Sequence, residues 1–163
     1  MPGIRTLTDA DIDAVAAVHV RSWQGAYAGI IAAGHLAALD PAAFAERRRA
    51  LTVSRALVAE RDGEIIGFTD FGPDRADPAH GELYTLYVDP GHWGTGAGRA
   101  LFAAARTRLA SGFPGMRLWV LEANTRARRF YESAGLRPDG TREFWTPGGT
   151  TEPLPELRYA TAL

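Results

Sequence analysis

Three glycines, Gly94, Gly96 and Gly98, alternate near the middle of the chain, between strand-forming residues and a helical pattern. The strand-forming run, residues 83–88, ends before Pro90, because proline cannot continue a central ladder. A glycine loop between a strand and a helix turns several backbone N–H groups toward one point, where the helix dipole also favours an anion. Glycine lets a phosphate approach the main chain closely, since a Cβ would stand in the way. The stretch therefore predicts a pyrophosphate-binding site.

Two better-known glycine loops do not fit. The phosphate loop of nucleotide hydrolases ends in Gly-Lys-Ser/Thr, and this chain contains no lysine. The dinucleotide fingerprint, Gly-x-Gly-x-x-Gly, follows the first strand of its domain and has an acid about 20 residues further on. Here the spacing is Gly-x-Gly-x-Gly, and it comes halfway along the chain.

A third kind of loop does fit. The segment Trp93-Gly94-Thr95-Gly96-Ala97-Gly98 resembles the acyl-CoA loop of the Gcn5-related N-acetyltransferase (GNAT) superfamily, Arg/Gln-x-x-Gly-x-Gly/Ala, with Trp93 in the first position. A second block, from Leu118 to Leu136, resembles the fifth strand and following helix of that family, with its pattern Asn-x-x-Ala-x-x-Phe-Tyr-x-x-x-Gly-Phe. The two blocks come in the family's order and spacing, and the resemblance covers residues 4–160, most weakly at the ends.

The resemblance implies acetyl-CoA as the acyl donor. It assigns the diphosphate to the backbone N–H groups of residues 94–99, and the pantetheine and thioester carbonyl to main-chain groups near Tyr87. Among the arginines, Arg99 is favoured for a CoA phosphate because it directly follows the loop, and an exposed helical arginine is the alternative for both Arg99 and Arg128. The predicted cofactor-binding residues are Leu86, Tyr87, Val88, Trp93, Gly94, Thr95, Gly96, Ala97, Gly98, Arg99, Asn124, Arg128 and Tyr131.

Two side chains are predicted to be catalytic. Tyr131 matches the family tyrosine that donates a proton to the CoA sulfur, although its place beside Phe130 also suits core packing. Glu82 falls where the histone-acetylating members have their general base, and an amine must lose a proton before it attacks. A solvated glutamate at a strand end is the alternative for Glu82. His80 is a rival base, or simply a loop residue.

The acceptor site is predicted to lie beside the segment after the first helix. Trp23 and Tyr27 could line it, although large aromatic residues at i and i+4 also pack together on helices. The acceptor itself stays open: a protein N-terminus, a small amine, an amino acid or an antibiotic. Asn124 could cap the next helix or bond the pantetheine, or do both.

Composition excludes several classes of function. The chain has 163 residues, is 46% hydrophobic and carries a net charge of −1, so we expect no general attraction to nucleic acid or a membrane. It has no cysteine, which leaves no thiolate nucleophile, and its four histidines do not occur at metal-ligand spacing, so no metal is expected. No signal peptide or long apolar run is present, which predicts a cytoplasmic protein.

The order of elements predicts an α+β (mixed α/β) fold in a single domain over residues 1–163. Helices are expected from Thr8 to Trp23, from Pro41 to Leu51 with Asp40 as the cap, after Gly98 and after Asn124. A hairpin turn is expected at Asp62-Gly63, a loop from Phe71-Gly72-Pro73 through Pro78, and a last strand over residues 157–160. The resemblance adds a strongly twisted, mostly antiparallel sheet of about seven strands with helices on both faces, and a possible homodimer through the terminal strands. Two other functions remain open, a non-catalytic acyl-CoA sensor and a structural role with the loop empty.

Overall fold

A computed structural model describes residues 1–51 and 55–163. The strands are β1 (Gly3–Thr6), β2 (Ala56–Arg61), β3 (Glu64–Pro73), β4 (Gly81–Val88), β5 (Gly115–Leu121), β6 (Arg137–Trp145) and β7 (Leu154–Ala162). The helices are α1 (Ile12–Ala26), α2 (Ala33–Ala37), α3 (Pro41–Ala50), α4 (Ala97–Ala110) and α5 (Thr125–Ser133), with short 3-10 turns at Asp9–Asp11 and Pro90–His92. None of the helices in the described ranges is long and apolar enough to cross a membrane.

The strands form one seven-stranded sheet in the order β1-β2-β3-β4-β5-β7-β6. All neighbours are antiparallel except β4 and β5, whose parallel ladder joins only Gly81 to Met116 and Glu82 to Arg117 among the described residues. Beyond these pairs the two strands separate, while β5 stays paired with β7 along its whole length. A bulge at Tyr84, which has no partner between Leu83 and Thr85 in the β3–β4 register, bends β4 at the start of this opening.

Helices cover both faces of the sheet. On one face, α4 and α5 bury Leu101, Phe102 and Tyr131 against side chains of β2 to β5 and β7. On the other face, α1 and α3 cover the first half of the sheet, with Val15 and Val18 packed on Phe68. The predicted mixed α/β domain with a mostly antiparallel sheet is therefore confirmed.

Local signals account for several boundaries. Asp40 accepts a hydrogen bond from the backbone of Ala42 at 3.0 Å and caps α3, as the Asp-Pro pair predicts. Asp62 and Gly63 both have positive φ, 52° and 80°, which is the geometry of the predicted two-residue hairpin between β2 and β3.

Other boundaries were predicted wrongly. The helix α2 was not expected, because its short alanine and glycine-containing sequence has little periodicity. Gly72 and Pro73 belong to the predicted loop but complete β3, and β7 begins at Leu154 instead of Leu157. In β3 and β7, pairing with a neighbouring strand extends the strand beyond what local composition indicates.

Candidate active site

The separation of β4 from β5 opens a cleft of about 1160 Å³. It runs from the glycine loop and the first turn of α4, past α5 and the side chains of β4, to the ends of β6 and β7. The two ends differ in charge. Arg99, Arg126 and Arg129 line the end beside the loop, whereas the far end contains Glu82 and further carboxylates.

The glycine loop presents free backbone donors. Gly96 is the N-cap of α4 in a left-handed conformation, with φ 91°, and Gly94 has φ 76°. Within the described residues, none of the amide groups of residues 94–99 has a hydrogen-bond acceptor, and the first-turn helix dipole adds to their positive potential. This arrangement fits the diphosphate of CoA.

The backbone adds a second reason for the first two glycines, beside the predicted close approach of a phosphate. A Cβ built on Gly94 or Gly96 meets nothing within 4 Å, so positive φ, rather than space inside the protein, requires glycine there. Gly98 has helical geometry, and a Cβ on it would make ordinary contacts with Phe130 and Val88 at 3.6 Å. Its small size matters only for what approaches from the cleft.

Trp93 anchors the loop. Its indole N–H donates to the carbonyl oxygen of Val88 at 2.9 Å, and the hydroxyl of Ser22 donates to the same oxygen at 3.0 Å. The carbonyl of Val88 is thus occupied and cannot serve the pantetheine, although Leu86, Tyr87 and Val88 all line the cleft as predicted. Gly25 of α1 allows this close packing of helix and loop.

The arginines nearest the loop are not all the ones expected. Arg99 lines the cleft, but Arg128 does not: its guanidinium donates to the Tyr159 hydroxyl at 3.1 Å and to the Glu122 carbonyl at 3.0 Å. Arg126, which the sequence did not single out, lines the cleft instead.

The Arg126 guanidinium lies 3.6 Å from the centre of the Trp93 ring, a cation–π contact that holds it beside the loop. The described residues offer it no hydrogen-bond or ion-pair partner, and burial lowers its pKa. In the GNAT loop motif, the first position is Arg or Gln, and this chain has Trp93 there. Arg126 of α5 therefore places a cation beside that position.

Of the remaining predicted residues, Ala97 and Asn124 line the cleft and Thr95 does not. The Asn124 side chain also caps α5 by accepting a hydrogen bond from the Ala127 amide at 3.1 Å. Thr95 does not line the cleft, because its hydroxyl donates to the carbonyl of His92 at 2.7 Å and stabilises the loop.

Tyrosine hydroxyls cluster at the middle of the cleft. Tyr131 is 9% exposed and packs against Phe102 and Phe130, yet it lines the cleft, so its core-packing and functional roles are compatible. Burial raises the pKa of Tyr131. Opposite it, the hydroxyls of Tyr27 and Tyr87 are hydrogen-bonded to each other at 3.3 Å.

Trp23 and Tyr27 occupy different positions relative to the cleft. Tyr27 lines the cleft, but Trp23 lies behind the wall, with its ring against Tyr27 and Trp145 at centroid distances of 5.3 and 5.6 Å. Trp23 therefore supports the wall instead of forming its surface.

Of the two candidate bases, Glu82 lines the cleft and His80 does not. Glu82 is 2% exposed, so it is not a solvated strand-end residue. Its carboxylate accepts from the Arg75 backbone N–H at 3.0 Å and from the Arg75 guanidinium at 2.8 and 3.2 Å. His80 lies outside the cleft lining and is bonded to Asp77 at 2.9 Å.

Comparison with known proteins agrees with this geometry. A model of the "Acetyltransferase (GNAT) family" matches residues 19–136. An uncharacterized N-acetyltransferase of Bacillus subtilis is 36% identical over 128 residues, which cover 76% of this chain and 74% of that protein. An uncharacterized N-acetyltransferase of Mycobacterium tuberculosis is 37% identical over 145 residues, covering 82% of this chain and 88% of that protein.

The fold has close counterparts among solved structures. The crystal structure of the PaiA N-acetyltransferase of Thermoplasma acidophilum in complex with coenzyme A matches with a TM-score of 0.78 and 21% identity, over 100% of this chain and 99% of that one. Because the family model spans more than half of the chain and the two relatives are aligned over most of their length, the chain belongs to the GNAT family and is an acyltransferase.

Proposed function

We propose that the protein transfers an acetyl group from acetyl-CoA to a primary amine of a small molecule or a protein N-terminus. The observation that carries this proposal is the row of unpaired amides at residues 94–99, facing a cleft that the separation of β4 and β5 opens toward Tyr131. The amides suit the diphosphate, and the gap between the strands suits an extended pantetheine arm. Arg99 and Arg126 add positive charge at the phosphate end.

Acetyl-CoA supplies an acyl group activated by its bond to sulfur. Tyr131 donates a proton to the departing sulfur, and its raised pKa keeps the phenol protonated at neutral pH. The chain has no cysteine that could accept the acetyl group first, so the amine attacks directly while both substrates are bound.

The proton of the acceptor amine needs a base. Glu82 stays a prediction for this role, acting through a water. Its carboxylate already accepts three hydrogen bonds from Arg75. A cytoplasmic location and pairing of two copies through terminal strands also stay predictions.

The proposal is tested by incubating the protein with acetyl-CoA and a panel of primary amines, with release of CoA thiol and the product masses as readouts. We expect acetylation of at least one amine class. Acetyl-CoA binding without turnover across the panel would identify a non-catalytic sensor, and no acetyl-CoA binding would refute the proposal.

The role of Tyr131 has a matched control. Tyr131→Phe should lower kcat by about 10²- to 10⁴-fold, the usual contribution of a positioned acid, with little change in acetyl-CoA affinity. Tyr159→Phe removes a hydroxyl on the other side of α5, where it donates to Glu132 at 2.8 Å, and should change stability but not kcat. An unchanged kcat in the Tyr131 variant would show that another group protonates the sulfur.

A further inference from the structure

Two glutamates face each other across the last ladder of the sheet. Glu143 of β6 and Glu156 of β7 are direct partners in the antiparallel register, and both line the far end of the cleft. Side chains of direct partners project from the same face of a sheet, with Cβ atoms about 5 Å apart. Like charges in this position destabilise a sheet, so the pairing calls for an explanation beyond folding.

The basic residues nearby are engaged elsewhere. Arg142, next to Glu143 in sequence, is bonded to Glu122 at 2.9 Å, and Arg158, on the same face of β7 as Glu156, is bonded to Asp139 at 2.5 Å.

Arg75 is the remaining cation that acts on Glu156, and it is bonded to Glu82 at 2.8 Å. The Arg75 guanidinium thus serves both Glu82 and Glu156 at this end of the cleft, and the described residues give Glu143 no ion-pair partner. Burial, followed by the contact with Glu143, raises the pKa of Glu156 to about 7, and the charge of Glu82 acts in the same direction.

A second observation points to a ligand at the same place. The Tyr27 and Tyr87 hydroxyls are bonded to each other, which uses one of their two protons, and the described residues provide no acceptor for the other. Either hydroxyl can be the donor, and both tyrosines line the cleft, so the spare hydroxyl belongs to the cleft wall.

The same tyrosine pair relates Glu156 to the acid. Burial raises the pKa of Tyr27 most, and both Tyr131 and Glu156 add to that shift through their charges. Tyr27, Tyr131 and Glu156 all line the same cleft.

We propose that Glu156, supported by Glu143, binds the ammonium group of the acceptor and removes its proton, so that the acceptor is a cationic alkyl amine. This inference rests on the proposed acetyl transfer. One N–H bond of the ammonium breaks and its proton goes to the Glu156 carboxylate. The freed lone pair forms the bond from nitrogen to the acetyl carbon as the carbon–sulfur bond breaks, and its electrons leave with sulfur. Tyr131 protonates the sulfur, and the second proton lost by the nitrogen restores Tyr131.

The charged and titratable groups that act on Glu156 come from four elements. They are Glu143 of β6, Glu82 of β4, Arg75 after β3, and the phenols of Tyr27 in the helix C-cap and Tyr87 in β4. Arg75 favours the ionised form of Glu156, and the two glutamates disfavour it. A ligand cation placed between Glu143 and Glu156 would relieve their repulsion and lower the pKa of Glu156.

The test is a pH titration of the unliganded protein, labelled with ¹³C at its glutamate carboxyl carbons, and read by NMR. In the wild type we expect one glutamate, absent from the Glu156→Gln spectrum, to titrate near 7. Glu143→Gln should lower this value by about one unit or more, because a like charge is removed. Glu152→Gln, the same change at an exposed position in the preceding loop, should leave it unchanged.

The titration is then repeated with n-butylammonium chloride, using sodium chloride at equal ionic strength as the control. We expect n-butylammonium, but not sodium, to lower the pKa of Glu156 in the wild type. Titration of Glu156 at the ordinary glutamate pKa, or the same response to both salts, would overturn the inference. A thermal-shift assay with acetyl-CoA distinguishes failure of this inference from failure of the proposed acetyl transfer. If acetyl-CoA stabilises the protein but n-butylammonium has no effect on Glu156, only the role of Glu156 is refuted. If acetyl-CoA does not stabilise the protein, acetyl transfer itself is refuted.

Activity supplies an independent readout. Glu156→Gln should lower kcat/KM at least tenfold for an alkyl amine found in the panel, and remove the rise in rate as pH increases through 7. Acetylation of aniline, which is already uncharged at neutral pH, should be spared. If Glu82→Gln abolishes the pH dependence and Glu156→Gln keeps it, Glu82 is the base and the inference is wrong.

Discussion

Arg126 and Arg128 lie two residues apart on α5 and face different surroundings. Arg126 rests on Trp93 and lines the cleft, whereas Arg128 is bonded to Tyr159 and the Glu122 carbonyl. The substitutions Arg126→Gln and Arg128→Gln make the same chemical change at both positions. Comparing them therefore tests whether Arg126 is the side chain that binds a CoA phosphate.

The expected magnitudes follow from these contacts. A charge-assisted hydrogen bond contributes about 1.5–3 kcal/mol, and the lower part of that range applies to a partly exposed side chain. Loss of about 1.5–2 kcal/mol on Arg126→Gln raises the Kd for CoA about ten- to thirtyfold. Its contact with Trp93 adds about 0.5–1 kcal/mol to folding. Arg128→Gln removes two hydrogen bonds and should cost about 1–2 kcal/mol of stability, or about 2–8 °C in Tm, with little change in Kd.

Isothermal titration calorimetry with CoA at low and high salt measures the affinities, and thermal unfolding measures stability. The wild-type affinity should fall more steeply with salt than that of the Arg126 variant, because screening weakens a phosphate contact that the variant lacks. A Kd within twofold of wild type for Arg126→Gln, or a larger affinity loss for Arg128→Gln, would refute the placement of the phosphate beside Trp93.

Three further predictions concern the loop and the glutamate pair. Gly96→Ala should lower the free energy of unfolding by about 1–2 kcal/mol, measured by thermal unfolding, since φ is 91° at this position. Gly98→Ala should leave stability equal or slightly higher, because Gly98 lies in a helix, and should still weaken CoA binding in calorimetry. Gly25→Ala places a Cβ 2.7 Å from the Pro90 ring, so the substitution should cost about 1–3 kcal/mol of stability. It should also weaken CoA binding, because the clash displaces the loop. An unchanged affinity for CoA would show that α1 does not hold the loop. The folded-state pKa of Glu156, about 7, lies above its ordinary value of 4.5, so the wild type should lose stability relative to Glu156→Gln as pH rises from 4.5 to 7. A difference in melting temperature between the two proteins that stays constant over this pH range would contradict the prediction.

Local chemistry in the sequence was sufficient for the features that depend on neighbouring residues. The loop glycines, the helix that follows them, the Asp40 cap and the Asp62–Gly63 turn are each determined by backbone geometry within a few residues. The family pattern also identified Tyr131, because its motif is continuous along one strand and one helix.

Other features were decided by tertiary contacts that no local pattern encodes. The direction in which α5 faces the sheet turns Arg126 to the cleft and Arg128 to β7, and the packing of α1 places Tyr27 on the cleft surface and Trp23 behind it. Glu143 and Glu156 become partners only through the register of β6 and β7. A side chain's solvent exposure and charged neighbours arise from segments far apart in the chain. The sequence therefore determined the loop and the motif that contains Tyr131, and the folded structure determined which charges face the cleft.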